Sequence, residues 1–275
     1  MDSNRKDEIL GPYIFNKTVK ILNQNLLLNS YLENTNKFFA KGPFNIINKR
    51  LRYTIFFDLK PNIIISRFPF FKYFKWLIIL CNKTIVKGIN YINTKQSKKA
   101  TNHLTYEYIN ELDDITWTLL SEICQHDFTV KSKNYVNWLI DNSQYTQTPI
   151  PHKFKFSYST TGYSENIYSY TLKVIENNTV IGFISYVLNG IEFNLKYFIC
   201  KDNTYEEKCV AALLEHFFKS KASYIITDDS KLVARIKDQY KPVFTYQIEK
   251  KTIAHKNMDL NFEDIIVTDR DGRFH

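Results

Sequence analysis

The chain has 275 residues, of which 44% are hydrophobic and 16% aromatic, and its formal net charge is +9. This length is enough for one large or two ordinary domains, and seven glycines and seven prolines exclude a collagen-like or low-complexity chain. A basic chain can bind nucleic acid, a membrane surface or an anionic small ligand. The lysines are scattered and form no dense patch with arginine, so no nucleic-acid partner is predicted.

The four cysteines, Cys81, Cys124, Cys200 and Cys209, have neither metal-ligand spacing nor a dense disulfide framework. They are interpreted as reduced thiols of a cytoplasmic protein. The N-terminus is polar and lacks a secretory apolar core, and no run of about 18 apolar residues predicts a spanning helix. The six histidines form no metal-ligand pair, so no metal cofactor is predicted.

Residues 1–60 are predicted to alternate between helix and strand. Apolar spacing predicts helices over 9–24 and 34–39, and strands over 26–28 and 49–59. One interpretation of this segment is an arm that packs on the main sheet of the protein.

Residues 61–103 are predicted to be a connecting helix and a linker. Residues 70–80 are aromatic and basic, then apolar, which is compatible with a helix lying on a membrane or with a connecting helix packed against the core. The second interpretation is favoured because these residues show no clean polar face. Residues 94–102, which are polar and basic, are predicted to be an exposed linker.

Residues 104–166 are predicted to begin the main domain. The predicted elements are a strand over 104–109, a helix over 113–124, a short helix over 134–141 and a loop over 144–164. Asp113 or Asp114 is expected to cap the first helix. Trp138 is expected to lie in the core, and the loop is interpreted as a substrate lid.

The stretch from Tyr168 to Asp229 predicts two antiparallel hairpins followed by a helical crossover. The predicted strands cover 168–176, 179–188, 191–200 and 224–227, with a helix over 205–220; a further helix over 230–240 and one or two strands over 243–255 follow. Asn177-Asn178 and Asn189-Gly190 are signals for tight turns. Ligands collect where a strand ends beside the N-terminus of a crossover helix, so loop 201–208 is the candidate site.

This order of elements resembles the acetyl-CoA-dependent N-acetyltransferase (GNAT) superfamily. The resemblance implies an α+β fold with a mixed, mostly antiparallel sheet and flanking helices, and acetyl-CoA as a substrate. It also implies that Tyr197, Phe198 and Ile199 on the third strand pair with the pantetheine arm of the coenzyme.

The loop after that strand departs from the family motif Gln/Arg-x-x-Gly-x-Gly/Ala, which cradles the pyrophosphate. With Leu213-Leu214 in the family register, Tyr205 takes the Gln/Arg position, Lys208 the first glycine and Val210 the second small residue. Lys208 adds a positive charge, but the close backbone approach that glycine allows is lost.

The N-terminal segment resembles the second half of the same domain. Gly11-Pro-Tyr-Ile-Phe is similar to the start of the CoA helix, and residues 36–44 are similar to the Asn…Tyr-x-x-x-Gly-Phe segment, with Phe39 where tyrosine is usual. The resemblance implies a truncated tandem, and the unrelated arm remains the alternative. The predicted division is a half-domain over 1–60, a connecting helix and linker over 61–103, a fuller domain over 104–258 and a tail over 259–275.

Acyl transfer from a thioester to an amine needs a base for the amine and an acid or dipole for the leaving thiolate. Glu192 is the candidate base, and its alternative interpretation is a solvent-facing carboxylate. Tyr240, near the acid tyrosine of the family, is the candidate acid, although nineteen tyrosines weaken the case for any single one.

The resemblance and its departures support two functions. The first is an N-acyltransferase that moves an acetyl group from acetyl-CoA to a small-molecule amine, an amino sugar among the candidates. The second is a catalytically inactive domain of the same fold that binds a partner or acts as a scaffold, which the missing glycines favour. A role at a membrane surface, through residues 70–80, is a third and weaker reading of the sequence, and oligomeric state is not predicted.

Overall fold

The computed structural model describes residues 10–29, 39, 42–127, 129–140 and 167–258, which form an eight-stranded sheet with helices on both faces. The strands are β1 (Leu27–Asn29), β2 (Phe44–Phe56), β3 (Leu104–Tyr108), β4 (Ile167–Glu176), β5 (Thr179–Asn189), β6 (Glu192–Cys200), β7 (Tyr224–Thr227) and β8 (Phe244–His255). Their order across the sheet is β1-β8-β2-β7-β6-β5-β4-β3. β6 and β7 are parallel, and the other neighbouring pairs are antiparallel. The predicted fold class is therefore confirmed.

Eight α-helices accompany these strands in the described part of the chain. They are α1 (Leu10–Ile21), α2 (Pro61–Arg67), α3 (Lys75–Cys81), α4 (Lys87–Thr101), α5 (Asp114–His126), α6 (Lys133–Ile140), α7 (Glu206–Ser220) and α8 (Ser230–Gln239). Short 3-10 turns cover Pro69–Phe74 and Asn203–Tyr205. A π-helical turn over Asn82–Val86 joins α3 to α4 with helical backbone at both junctions, so residues 75–101 form one continuous rod.

The core lies in two layers, one on each face of the sheet. On one face α7 and α8 bury the apolar residues that the helical spacing predicts, among them Leu213, Leu214 and Phe217. On the other face Leu120 of α5 and Val136 of α6 pack against the sheet. Both layers follow from the rule that a sheet or an amphipathic helix must bury its apolar side against another element.

Both predicted tight turns are confirmed. Asn177 and Asn178 have φ values of 48° and 60°, which is the left-handed region that a two-residue hairpin turn of this kind requires. Gly190 has a φ of 59° between β5 and β6. These turns hold β4, β5 and β6 in register as a meander.

The N-terminal strands belong to the same sheet as the rest. β2 lies between β7 and β8 and pairs with both, and β1 pairs with β8 at the edge. The described residues therefore place the predicted strand of 49–59 inside the main sheet, starting earlier, at Phe44. Whether residues 1–60 are a truncated repeat stays a prediction.

Three sequence predictions are wrong. Residues 94–102 are not an exposed linker but largely belong to α4, where Asn93, Ser97 and Thr101 are buried at four-residue spacing on one face. Residues 70–80 do not pack against the core, since Ile78 is the one buried residue among them. Trp138 is 50% exposed on α6 instead of lying in the core.

Two regions with predicted roles, the lid loop over 144–164 and the tail over 259–275, lie outside the described residues, as does most of the helix over 34–39. Among the described helices, none combines the length and the apolar character needed to cross a bilayer.

Candidate active site between β6 and β7

The parallel ladder between β6 and β7 covers three of the four residues of β7 but only the first three of the nine residues of β6. Their ladder joins Glu192–Asn194 to Tyr224–Ile226 and stops there. β6 then stays with β5 up to its last residue, Cys200, while β7 remains paired with β2. Beyond the ladder β6 continues through residues 195–200 whereas β7 continues only to Thr227, so β6 extends past β7 on the side of the sheet where α7 begins.

A bulge in β6 lies just beyond the ladder. Leu195 pairs with Tyr186 and Tyr197 with Ser185, so Lys196 is an extra residue in β6. The extra residue resets the alternation of side chains: Phe198 packs on the α7 side of the sheet, and Tyr197 packs on the opposite side. A bulge bends its strand and increases its twist, so β6 is bent where it extends past β7.

Gly182 lets α7 begin close to the sheet. A Cβ atom at this position would lie 2.5 Å from Sγ of Cys209 and 3.1 Å from the carbonyl oxygen of Ile199. Gly182 pairs with Cys200, whose thiol pKa is raised by its hydrogen bond with Cys209 and by burial. The thiol of Cys200 is therefore protonated at neutral pH and is not a nucleophilic thiolate.

Carboxylates crowd the N-terminus of α7. Asp202 accepts a hydrogen bond from the backbone N–H of Thr204 at 2.8 Å, and Glu206 and Glu207 occupy the first turn of the helix. Residues 201–208 carry three carboxylates against two lysines. The helix dipole attracts anions to this position, but here the protein supplies them itself, so a phosphate would meet like charge.

We call the space beside β6 beyond its ladder with β7 the opening. Lys208 turns away from it toward the β4–β5 hairpin. Its Nζ lies 2.5 and 2.8 Å from the two carboxylate oxygens of Glu176, whose Oε1 is also 2.9 Å from Nε2 of His103. The hydrogen bond from Lys208 holds the pKa of Glu176 below its ordinary value. The charge that the sequence assigns to pyrophosphate binding is therefore engaged in an ion pair.

An ion pair also joins the beginning of α7 to the middle of α8. Nε of Arg235 lies 3.0 Å from Oε2 of Glu206. Asp229 caps α8 by accepting from the N–H of Leu232 at 3.0 Å, and both carboxylates contribute to the raised pKa of Cys200, which places them near that thiol. This end of the opening is consequently acidic and spanned by the Glu206–Arg235 pair.

Glu192 stands at the other end of the opening, where β6 and β7 are still paired. Its Oε1 accepts a hydrogen bond from the hydroxyl of Tyr224 at 2.5 Å, and Nδ2 of Asn194 lies 3.5 Å from its Oε2. Burial, and then the bond to Glu192, raise the pKa of Tyr224, so this phenol stays neutral. The arrangement orients a carboxylate that can accept a proton from an amine.

The structure does not bring Tyr240 to the opening. Tyr240 is buried in the core beyond the end of α8, and its pKa is raised to about 12 by burial and then by the charge of Glu215. Glu215 lies about two and a half turns beyond Glu206 along α7, away from the N-terminus of that helix.

The other predicted site residues divide between the opening and the core. Tyr197, Phe198 and Ile199 lie on the part of β6 that extends past β7, as the pantetheine-binding prediction requires. Tyr205 ends the 3-10 turn before α7, with its ring centroid 5.6 Å from Nζ of Lys208, while Val210 is fully buried in the core. Their roles in binding stay predictions.

Sequence reasoning missed Tyr224, Glu206 and Arg235. Glu206 was visible as an acidic residue in a predicted first helical turn, which favours an N-terminus without a bound anion. Tyr224 and Arg235 gave no local signal, because each acts on a residue about thirty positions away in the chain.

The sequence matches no family model and no curated protein. The structure is similar to GCN5-related N-acetyltransferases from Anabaena variabilis (8% identity, 92% of this chain and 52% of that chain, TM-score 0.44) and Kribbella flavida (6%, 91% and 49%, 0.45). A third, from Sphaerobacter thermophilus, has 6% identity over 91% of this chain and 69% of that chain, with a TM-score of 0.44. The chain spans about half the length of the first two proteins.

The strand arrangement itself is that of an acyl-CoA N-acyltransferase-like fold. An antiparallel meander leads into β6, α7 crosses over to a parallel β7, and β6 extends past β7 beside the N-terminus of that helix. The predicted resemblance is thus confirmed at the level of the fold, in a divergent form whose loop before α7 lacks both glycines of the family motif.

Proposed function

We propose that this protein is an N-acyltransferase that moves an acetyl group from acetyl-CoA to a small-molecule amine. The observation that carries the proposal is the extension of β6 past β7 after Asn194, beside the N-terminus of α7. In this proposal the amides of an extended pantetheine arm pair with the backbone of β6 beyond the end of the ladder.

In this proposal Glu192 is the general base. The amine nitrogen attacks the thioester carbonyl, its proton passes to the carboxylate of Glu192, the carbon–sulfur bond breaks and the thiolate takes up a proton. Tyr224 holds the carboxylate in place through its 2.5 Å hydrogen bond. Replacing a positioned base lowers the rate by about a hundredfold or more.

The pyrophosphate of the coenzyme contributes little in this proposal. The carboxylates of the α7 N-terminus oppose it, and two of the nearby cations, Lys208 and Arg235, are already paired. We therefore expect acetyl-pantetheine, which lacks the pyrophosphate, to bind about as tightly as acetyl-CoA.

A thermal shift with each compound tests this proposal, since a ligand that binds the folded state raises the midpoint of unfolding. The same upward shift with acetyl-CoA and acetyl-pantetheine is the expected result. If neither compound raises the midpoint of unfolding at millimolar concentration, the proposed function is overturned.

Activity is measured as release of the free CoA thiol with a panel of amines. We expect Glu192→Gln to lower the rate by about a hundredfold without changing the thermal shift. Tyr240→Phe, a change in the core away from the opening, is the matched control and should retain the rate. Equal rates for the wild type and Glu192→Gln would remove Glu192 from the reaction.

The ion pair between Glu206 and Arg235 favours a second candidate, a binding or scaffold domain without catalysis. If this pair closes the opening, Glu206→Gln removes one carboxylate and releases Arg235 for a phosphate, and acetyl-CoA should then bind more tightly. Glu249→Gln, on β8, is the control for loss of a carboxylate. An acetyl-CoA shift that appears only in Glu206→Gln would support the second candidate for the natural sequence.

A further inference from the structure

Large apolar side chains lie on the outside of the protein between residues 68 and 92, a region we call the aromatic surface. Phe70, Tyr73, Trp76, Ile85 and Tyr91 expose between 62% and 78% of their area. The 3-10 turn over Pro69–Phe74 buries no residue. Scattered apolar side chains are normal on a protein, but the ring of Phe70 lies 5.3–6.5 Å from those of Phe71, Tyr73 and Phe74, and a contiguous group of this kind marks an interaction site.

The rod of residues 75–101 buries the polar residues Asn93, Ser97 and Thr101 as well as the apolar residues Ile78 and Val86. It docks on the protein through amides: Asn82 accepts from the N–H of Leu59 at 3.0 Å, and Asn90 donates to the carbonyl of Phe57 at 2.6 Å. A helix on the surface of a globular protein normally buries its apolar side and exposes its polar side. The apolar outer side of this rod is therefore not explained by its attachment to the fold.

Charge selects among the partners that an apolar surface can have. The sequence has no aspartate or glutamate from residue 59 to residue 106. Lys72, Lys75, Lys83 and Lys87 lie among the exposed aromatic and aliphatic residues. A partner must therefore accept apolar side chains and positive charge together.

We propose that the aromatic surface binds a lipid bilayer that contains anionic lipids. The aromatic rings would enter the interface between headgroups and acyl chains, and the lysines would reach the lipid phosphates with their flexible stems. A second copy of this chain is disfavoured, because a symmetric contact would place the same lysines against each other. This inference does not depend on the proposed acyl transfer.

Co-sedimentation of the full chain with vesicles tests the proposal. We expect the protein to pellet with phosphatidylcholine vesicles that contain about one-third phosphatidylglycerol, and to pellet much less with phosphatidylcholine alone. Added salt should lower the bound fraction because it screens the attraction between lysines and lipid phosphates. Recovery of the protein in the supernatant with anionic vesicles at low salt would overturn the proposal, as would equal binding to both kinds of vesicle.

Paired substitutions locate the binding surface. Trp76→Asp should reduce the fraction bound about tenfold or more, since it puts a charge where a ring is to enter the bilayer interface. Ile115→Asp is the matched control, because Ile115 on α5 and Trp76 are both 66% exposed. Equal losses from the two variants would assign binding to another part of the protein and overturn the proposal.

The lysines are tested in the same way. The double variant Lys72→Glu, Lys75→Glu should weaken binding to anionic vesicles, and the double variant Lys231→Glu, Lys237→Glu on α8 changes the net charge equally at exposed positions. Similar weakening by both pairs would show attraction by net charge alone and would contradict a specific surface.

Two further measurements separate lipid from protein partners. Vesicles should shift the tryptophan emission to shorter wavelength, and Trp76→Phe should abolish that shift while the protein still binds. Size-exclusion chromatography without lipid should give the same elution for the wild type and Trp76→Asp. A dimer that Trp76→Asp converts to a monomer would make the aromatic surface a contact between copies and overturn the proposal.

Discussion

Helix α7 and the rod of residues 75–101 pack against each other, but they differ in which side chains they bury. α7 buries apolar side chains such as Leu213 and Phe217 and exposes charged ones. The rod buries polar Asn93, Ser97 and Thr101 beside apolar Ile78 and Val86, and it exposes Trp76 and its aromatic neighbours. Removal of apolar area from water stabilises the first, whereas hydrogen bonds to otherwise unpaired backbone groups position the second.

This difference explains why the prediction was correct for α7, where apolar spacing was used, and wrong for residues 70–80 and 94–102, where apolar and polar composition was used. A spacing rule that assumes an apolar inner side places α7 correctly. The same assumption assigns the apolar residues of the rod to the core and its polar residues to solvent. Three predictions test the contrast, beginning with the largest expected effect.

The substitution Phe217→Ala should lower the free energy of unfolding by about 3–5 kcal/mol, because it leaves a cavity in the main core. Phe217 is 1% exposed, and its ring centroid lies 5.0 Å from that of Phe57. Urea denaturation measures the change. The matched variant Phe70→Ala, in the aromatic surface, should change stability by no more than about 0.5 kcal/mol. Comparable losses of the free energy of unfolding in both variants would show that the aromatic surface is buried. The difference drawn between α7 and the rod would then be wrong.

The substitution Asn93→Ala should cost about 2 kcal/mol, since it removes two partly buried hydrogen bonds to the backbone of Lys241. The amide of Asn93 donates to the carbonyl of Lys241 at 3.1 Å and accepts from its N–H at 3.2 Å. Gln96→Ala, which removes one exposed bond to the carbonyl of Gln239, is the control and should cost less than about 1 kcal/mol. If urea denaturation shows a negligible loss of the free energy of unfolding for Asn93→Ala, hydrogen bonds from side-chain amides do not hold the rod in place.

The substitution Thr101→Val should cost about 1 kcal/mol near neutral pH and less in acid. The hydroxyl of Thr101 donates to Glu215 on α7 at 2.7 Å. Burial alone would raise the pKa of Glu215, but bonds from Lys219, Tyr106 and Thr101 bring it below its ordinary value of 4.5.

The sign of the pH effect follows from that lowered pKa. Stabilisation by the Glu215 carboxylate is complete above pH 4.5 and is lost as pH falls through the folded-state pKa below it. The difference in the free energy of unfolding between Thr101→Val and the wild type should therefore become smaller as the pH is lowered. Thr94→Val is the control, because the hydroxyl of Thr94 donates to Asn90 within its own helix. If the difference in the free energy of unfolding stays constant with pH, the hydrogen bond to Glu215 is not what makes Thr101 stabilising.

Elements set by local signals were predictable from the sequence. Asn177-Asn178 tolerates positive φ, so the hairpin between β4 and β5 falls where the sequence places it. Asp113 accepts from the N–H of Thr116 at 2.7 Å and caps α5 as expected. Glu192 was likewise identifiable as a carboxylate near the candidate site, because β6 itself was predictable.

Elements that depend on distant partners were not predictable. The bulge at Lys196 carries no glycine or proline signal, since it arises from the register between β5 and β6. Insertion of β2 between β7 and β8 joins residues nearly two hundred positions apart in the chain. The Glu206–Arg235 pair depends on how two helices meet.

By itself, the sequence determined the hairpins, the crossover helix and the kind of fold, because turn residues and apolar spacing act over a few neighbouring positions. Only the tertiary structure decided that β6 extends past β7, that acidic groups surround the beginning of α7 and that most large apolar side chains of residues 68–92 are exposed. These features follow from strand register, from ion pairs between separate elements and from which side of a helix meets the protein. Such choices rest on the free energy of the whole packed chain and leave no pattern in a short stretch of residues.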